Sequence, residues 1–306
     1  HPSLVPVLEK TLGVPLFQEQ VIRVAMVAAD YSPGEADQLR RDMAAWRRTG
    51  RIERHRERLV ARMQAKGIER EFAERVFEQI RGFGEYGFPE SHAASFALIS
   101  YATSYLKRHF QAEFSCALLN AQPMGFYAPS TLIEDAKRHG VTVRPVDVQA
   151  SAWDCALEED EDPPPLDAKA WRERPLAIRV GLRYVKGLAR RDADAVVAAR
   201  GSGGVFRSPE DLAHRAGLGA PAMATLAEAG ALDALQPDRR AAFWDAPQAA
   251  QRVWEGLPLE EAAEPVALTA LEPFEVIDWD YRTTAHSPRG HPMEAFRSEL
   301  AAKGFP

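Results

Sequence analysis

Cysteine is scarce in this chain of 306 residues. Cys116 and Cys155 are the two present, and both lie in apolar surroundings without the spacing of metal ligands. We therefore expect buried free thiols in a reducing compartment, and neither a disulfide framework nor a zinc site. Long apolar runs are lacking too, since no stretch approaches the roughly 20 residues that cross a bilayer. A membrane span is excluded.

The start of the chain, HPSLVPVLEK, lacks both an initiator methionine and the basic-then-apolar pattern of a signal peptide. We therefore expect a piece of a longer, cytoplasmic polypeptide. Its composition, 46% hydrophobic and 27% charged, is that of an ordinary globular protein, and its length suits about two or three domains.

Positive charge is not in excess overall, because the net charge is −6, which argues against a uniformly basic nucleic-acid binder. Residues 40–66 are an exception, with ten Arg or Lys against three acids, so the rest of the chain carries −13. Arg40 and Arg47, and likewise Arg41 and Arg48, lie two helical turns apart and would form one stripe. Such a stripe is either a solvated helix face or a phosphate-binding surface.

Helical periodicity, interrupted by Gly- and Pro-containing breaks, predicts a mainly α fold. Residues 1–120 are typical of a multi-helix domain. Residues 121–175 continue it as a connector, with short strands in VTVRPV and ASAWDCALE and the exposed acidic, Pro-rich loop EEDEDPPPLDAK. Residues 176–235 contain short helices joined by Gly-containing hairpins, and 236–306 look like a linker without a complete domain.

The stretch YGFPESHAASFALISYATSYLKRHF, residues 86–110, predicts a helix with no formal charge for four turns. Its apolar residues point all round the axis, so we expect this helix to be buried. Ser91 suits the N-cap, and His92 adds a titratable donor beside the positive end of the helix dipole. The entrance is thus either a phosphate site or a capped core helix with an incidental histidine.

The stretch VGLRYVKGLARRDADAVVAAR has the pattern of a helix-hairpin-helix. Val185, Lys186 and Gly187 would form the tight turn, whose glycine lets backbone N–H groups at the next helix start approach a DNA phosphate. Lys186, Arg190 and Arg191 would add charge. HRAGLGAPAMATLAEAGAL resembles a degenerate second copy with Gly217 and Gly219 as turn candidates and few basic residues. Plain helix packing is the alternative interpretation of both copies.

Two Asp-x-Asp pairs could be considered for metal-dependent phosphoryl transfer, which needs close carboxylates. Asp192 and Asp194 lie on a predicted helix, where residues two apart diverge. Asp278 and Asp280 lie in IDWDYRT, where an extended segment could present both acids on one side, but no third acid accompanies them. We therefore assign no catalytic and no metal-binding residue to this chain.

Several motifs in order resemble the C-family bacterial DNA polymerases, the alpha subunit of DNA polymerase III and its relatives. They are FQEQVIRVAM, ADQLRRDMA, the 86–110 stretch, AEFSCALLNAQPMGFY and the tandem hairpin unit, and they cover roughly residues 11–235. NAQPMGFYAPSTLIEDAKRHGVTVRPVDVQASAWDC is similar to the error-prone, DnaE-like branch, often called ImuC. YGFPESH agrees, since replicative relatives usually have Asn-Lys in place of Pro89 and Glu90.

The resemblance implies that residues 1–120 are the fingers, that 121–175 continue them, and that 176–235 are a tandem helix-hairpin-helix domain on duplex DNA. It implies catalytic aspartates and their Mg²⁺ in a palm domain outside this chain, and an OB-fold domain after the 236–306 linker. The implied site residues form two groups. Incoming dNTP or template strand would contact Arg40, Arg41, Arg47, Arg48, Tyr86, Ser91 and His92; the DNA backbone would contact Lys186, Gly187, Leu188, Arg190 and Arg191.

The family's clamp-binding pentapeptide is not found in residues 236–290, where QRVWEGL is the nearest sequence. The error-prone branch is thought to reach the sliding clamp through an ImuB-type adaptor, so the resemblance implies that partner beside primer-template DNA, and no membrane. A non-catalytic helix-hairpin-helix DNA-binding or scaffold protein is the alternative.

Overall fold

The computed structural model describes residues 1–44, 52–83, 88–164, 175–254 and 268–305. Two compact units, His1–Thr103 and Ser104–Pro306, divide the chain. Over the described residues the fold is mainly α, which confirms the predicted class. The helices are α1 (Val5–Leu8), α2 (Gln18–Ala29), α3 (Pro33–Ala44), α4 (Glu53–Ala65), α5 (Arg70–Gly82), α6 (Glu90–His109), α7 (Gln111–Asn120), α8 (Pro129–Arg138), α9 (Arg190–Gly203), α10 (Pro209–Ala216), α11 (Ala220–Glu228), α12 (Arg239–Trp254), α13 (Pro273–Thr284) and α14 (Arg297–Ala302).

The first unit packs α2 to α5 around one apolar core. Helix α5 shows how its sequence dictates this, because Ala73, Val76, Phe77 and Ile80 recur at three- and four-residue spacing and all four are buried. The other helices add apolar side chains in the same way, and the core includes Val21, Val24, Leu39, Met43, Leu59 and Met63.

A buried polar cluster joins α3 to α4 inside this unit. His55 Nε2 lies 2.9 Å from Asp42 Oδ2, and the Tyr31 hydroxyl lies 3.4 Å from His55 Nδ1. Nearby, Arg62 donates to both carboxylate oxygens of Glu35 at 3.0 and 3.1 Å. These charge-assisted hydrogen bonds lower the pKa of Glu35 to about 2. The Arg62–Glu35 pairing joins the first turn of α3, the carrier of the predicted arginine stripe, to α4.

A small sheet in the second unit has the strand order β1 (Val143–Arg144), β3 (Leu176–Arg179), β2 (Ala156–Glu159). β3 is parallel to β1 and antiparallel to β2. β1 lies in the predicted stretch VTVRPV, and β2 begins in ASAWDCALE and ends at Glu159, in the stretch predicted as a loop. The central strand comes from LAIRV, which the sequence had suggested as the start of the hairpin unit. Cys116 and Cys155 are buried free thiols beside this sheet, as predicted.

The hairpin region forms a core of its own. This core includes residues from Val146, which follows β1, to Ala250 on α12, so residues on both sides of 176–235 contribute. α12 packs on α10 and α11, and α13 packs on α11. A 3₁₀ turn, Leu182–Tyr184, precedes the first hairpin, and another, Pro292–Phe296, precedes α14. Much of the predicted linker is therefore helical and packed on the hairpin core.

None of the helices in the described ranges is long and apolar enough to cross a bilayer.

Candidate nucleic-acid interface

The first hairpin turn lies between the 3₁₀ turn and α9. Gly187 has φ +87°, a conformation that L side chains rarely adopt, so glycine is required here for the backbone to turn. Val185 and Leu188 on either side are buried and anchor the turn, and the Leu188 N–H donates to the Val185 carbonyl at 3.3 Å. Local sequence thus fixes where α9 begins.

The N-terminus of α9 presents unsatisfied backbone donors. Its N-cap, Ala189, has no side chain that could cap, and the first N–H groups of a helix have no intrahelical acceptor. In the described parts of the chain, no group accepts from the N–H of Arg190 or Arg191. Donors and helix dipole together make this end attractive for an anion.

Two arginines flank these donors. Their side chains are 65% (Arg190) and 87% (Arg191) exposed. Arg190 lies over the ring of Trp153, 5.0 Å from its centroid, and 3.4 Å from Asp194; Arg191 lies 3.3 Å from Asp192. Exposed pairs of this kind are weak, so both guanidiniums can exchange their carboxylate for a phosphate at small cost.

Lys186 has a different environment from the one expected. Its Nζ donates to the carbonyls of Arg282 at 2.8 Å and Tyr281 at 3.3 Å, and its backbone N–H donates to Thr283 at 2.9 Å. These are carbonyls of the last turn of α13, where a cation is favoured by the helix dipole. The lysine therefore connects the hairpin turn to α13, and its role at DNA stays a prediction.

The second hairpin runs from α10 to α11. Gly217 ends α10 with φ +63°, Leu218 is buried, and Gly219 is the N-cap of α11, as the sequence suggested. Arg215, the nearest arginine, donates to the carbonyls of Ala199 at 2.7 Å and Gly204 at 2.8 Å. This guanidinium is only 20% exposed, unlike the exposed and weakly paired Arg190 and Arg191 of the first hairpin.

In the first unit, the predicted arginine stripe can be examined at two positions. Arg40 and Arg41 are exposed on α3, and both bind Asp37, at 3.0 and 2.6 Å. Their hydrogen bonds lower the pKa of the Asp37 carboxyl, with Arg41 the larger contributor. Arg47, Arg48 and Tyr86 lie outside the described residues.

The start of α6 corrects the predicted cap. The helix begins at Glu90, so Ser91 lies within its first turn instead of at the N-cap. The Glu90 N–H donates to a carboxylate oxygen of Glu19 at 2.9 Å, which places a carboxylate where a phosphate was predicted. His92 lies between two rings, with centroids 5.1 Å from Phe88 and 4.4 Å from Phe96. Contacts of Ser91 and His92 with a nucleotide stay a prediction.

The expectation that α6 is buried is wrong. None of its residues is buried, and its apolar side chains are largely exposed: Phe96, Leu98, Ile99, Tyr101, Tyr105 and Leu106. The uniform apolar character that suggested a core helix therefore belongs to a surface helix here. Several large apolar side chains exposed together in this way often mark a place where another surface binds.

The acids of both candidate pairs lie beside arginines, and in the first pair Asp192 is 3.3 Å from Arg191 and Asp194 is 3.4 Å from Arg190. Asp278 and Asp280 lie on α13 and not on an extended segment. Asp280 is 1% exposed and is held by Arg239 at 2.7 Å, Arg289 at 2.8 Å and the Ser287 hydroxyl at 2.8 Å. Two guanidiniums already neutralise this carboxylate, so it does not suit Mg²⁺. Sequence reasoning missed this network, because Arg239 and Arg289 are distant in sequence and have no recognisable spacing.

Two family models match the chain. Residues 1–67 match the bacterial DNA polymerase III alpha subunit finger domain, and residues 140–242 match a helix-hairpin-helix motif. The chain is therefore similar to a polymerase finger segment followed by a helix-hairpin-helix segment.

The particular relatives are error-prone DNA polymerases. The chain is 50% identical to the one from Pseudomonas fluorescens strain Pf0-1 over 304 residues, 48% to that of Sinorhizobium medicae over 320, and 50% to that of Burkholderia mallei over 305. Each alignment covers 99% of this chain but only 27% or 28% of the relative. The resemblance stated from the sequence motifs is thereby confirmed.

Proposed function

We propose that this chain is the fingers and duplex-binding part of an error-prone, DNA-directed DNA polymerase that acts in translesion synthesis. The exposed N-terminus of α9 carries this proposal, because unsatisfied backbone donors, a required glycine and two exposed arginines lie together in the segment that matches the helix-hairpin-helix family model. A site built mainly from backbone donors binds phosphates without distinguishing bases. Duplex binding should therefore be non-specific.

The contacts with DNA phosphates are assigned to Gly187, Arg190 and Arg191. Leu188 contributes by anchoring the turn through its buried side chain. Lys186 has an indirect role, because it binds the last turn of α13 and so holds the hairpin turn in position. This division differs from the expectation in which all five residues contact the DNA backbone.

For the nucleotide side, we propose that Arg40, Arg41, Arg47 and Arg48 contact the phosphates of the incoming dNTP or the template. Their support is the finger-domain match over residues 1–67 and the exposure of the first two. Tyr86, Ser91 and His92 are proposed for the same surface. Catalytic carboxylates and Mg²⁺ would be supplied by a part of the polymerase outside this chain. An ImuB-type adaptor would connect the polymerase to the sliding clamp, and we expect the polymerase to act in the cytoplasm.

Salt-dependent binding tests the duplex assignment. A labelled duplex of random sequence should bind the chain weakly, with affinity that falls as salt rises and does not change with sequence. Gly187→Val should weaken binding, since valine cannot adopt the positive φ without strain. Gly34→Val, at an exposed glycine without a positive φ, is the matched control. Salt-independent or strongly sequence-selective binding would contradict the proposal.

Primer extension separates the polymerase from the scaffold alternative. The chain alone should extend no primer, whereas a polymerase that contains it should lose incorporation when Arg41 is replaced. A natural full-length protein that contains this chain but lacks an Asp-x-Asp palm would support the scaffold instead.

A further inference from the structure

A cavity of about 370 Å³ lies in the second unit, between the end of α6, α7, the 121–128 loop and α8. Phe114, Leu118 and Leu132 give it apolar walls, and Tyr127, Lys107 and Arg138 contribute an aromatic ring and two cations. Its volume is within the usual range of small-ligand pockets. Nothing in the duplex or nucleotide assignments above uses it.

The loop beside the cavity displays two aromatic rings. Phe126 is 97% exposed and Tyr127 is 59% exposed, which is unusual for side chains of this size. The loop is held in place by hydrogen bonds: the Gln122 side chain donates to the Tyr127 carbonyl at 3.1 Å and accepts from the Met124 N–H at 2.8 Å. Arg183 donates to the Gln122 carbonyl at 2.8 Å. These bonds fix the backbone that presents the rings.

The charge around the cavity suits a phosphate. Lys107 is paired at 2.8 Å with Asp135, which also lines the cavity, whereas Arg138 is exposed and has no acidic partner among the described residues. Basic residues also end both neighbouring helices, at 107–109 in α6 and 137–138 in α8. Exposed rings next to cations are the arrangement with which proteins bind single-stranded nucleic acid, where bases stack on the rings and cations follow the backbone.

We propose that this cavity and the Phe126–Tyr127 loop bind the single-stranded template, with one base against Tyr127 and the apolar walls and its phosphate on Arg138. The proposal rests on the proposed function, since a polymerase must hold a single-stranded template as well as a duplex. It adds a site in 104–138 that is distinct from the hairpin and from the arginine stripe.

Binding of a fluorescein-labelled oligothymidylate of about 12 nucleotides tests the site. Tyr127→Ala and Arg138→Ala should each weaken binding of this probe by about 5- to 100-fold, and leave binding of a labelled duplex unchanged. Arg297→Ala removes an exposed arginine on α14, outside the cavity, and controls for loss of charge. Both tested side chains are exposed, and thermal melting should confirm that the variants fold.

A second measurement identifies the contact directly. An oligonucleotide with one 5-bromouracil, irradiated in complex with the chain, should crosslink within residues 121–138, and Tyr127→Ala should remove that crosslink. Single-strand affinity and crosslinks unaffected by both substitutions would overturn the proposal and leave the cavity to a protein partner. Loss of duplex binding in Arg190→Ala Arg191→Ala is scored separately, so the two proposals can fail independently.

Discussion

Replacing Asp280 with alanine should destabilise the second unit strongly. Asp280 and Arg239 have side chains only 2% and 4% exposed, and their oxygen and nitrogen atoms lie 2.7 Å apart. Arg289 donates to the same oxygen at 2.8 Å. The carboxylate is thus the shared partner of two cations from different parts of the chain.

The magnitude follows from the charges that remain. Without Asp280, the hydrogen bonds left to the buried Arg239 go to neutral acceptors such as the Glu228 carbonyl, at 3.0 and 2.6 Å, and the remaining nearby acid is Asp233, which is paired with Arg289. Breaking a buried pair on one side costs about 3 to 5 kcal/mol, because the other charge stays desolvated and uncompensated. Asp278 lies two residues away, with a side chain 53% exposed, so Asp278→Ala should change stability by less than about 0.5 kcal/mol.

Urea unfolding of the second unit, followed by tryptophan fluorescence, measures both variants against the unmodified chain. The midpoint should fall markedly for Asp280→Ala and hardly for Asp278→Ala, with unchanged slopes. Equal, small effects would refute the reasoning, since they would mean that Asp280 is not the buried counterion that the structure shows.

Three further outcomes are expected. Burial lowers the pKa of His286 to about 4 from its usual 6.5, so the unfolded chain takes up the proton at a higher pH than the folded chain does. Stability should therefore fall as the pH drops from about 6.5 towards 4, and His286→Asn should flatten this dependence when melting is measured against pH. Burial raises the pKa of Cys155 to about 12, so this thiol should react with a disulfide reagent at pH 8 only after unfolding, and fast labelling of the folded chain would argue against it. In a polymerase containing the chain, Arg40→Ala or Arg41→Ala should lower incorporation efficiency about 10- to 100-fold with primer-template affinity retained. Single-turnover kinetics measure both quantities, and an equal loss of incorporation efficiency and primer-template affinity would contradict the prediction.

Local periodicity made much of the fold predictable. The pattern of Ala73, Val76, Phe77 and Ile80 needs no tertiary knowledge to predict α5, and the β-branched residues of VTVRPV predict β1 equally well. Gly187 was also predictable as a turn glycine, since only a residue tolerant of positive φ suits that position.

Other features depended on contacts that no local pattern encodes. Helix α6 was expected to be buried because its side chains are apolar on all sides. Apolar composition indicates that a surface needs to be covered, but it does not indicate whether the covering residues belong to the same chain. IDWDYRT was considered as an extended segment, whereas it lies on α13, where Asp280 is buried against its distant partners Arg239 and Arg289. Lys186 reads as a DNA contact in sequence, yet the last turn of α13 binds it.

The salt dependence of duplex binding, compared between two variants, tests the central claim most directly. Affinities of the chain for a labelled duplex would be measured from about 50 to 200 mM salt for Arg190→Ala Arg191→Ala and for Lys186→Ala. If the N-terminus of α9 grips phosphates, the double variant should reduce the slope of log affinity against log salt by about 2, and Lys186→Ala should leave it unchanged. An unchanged slope in the double variant would contradict the account.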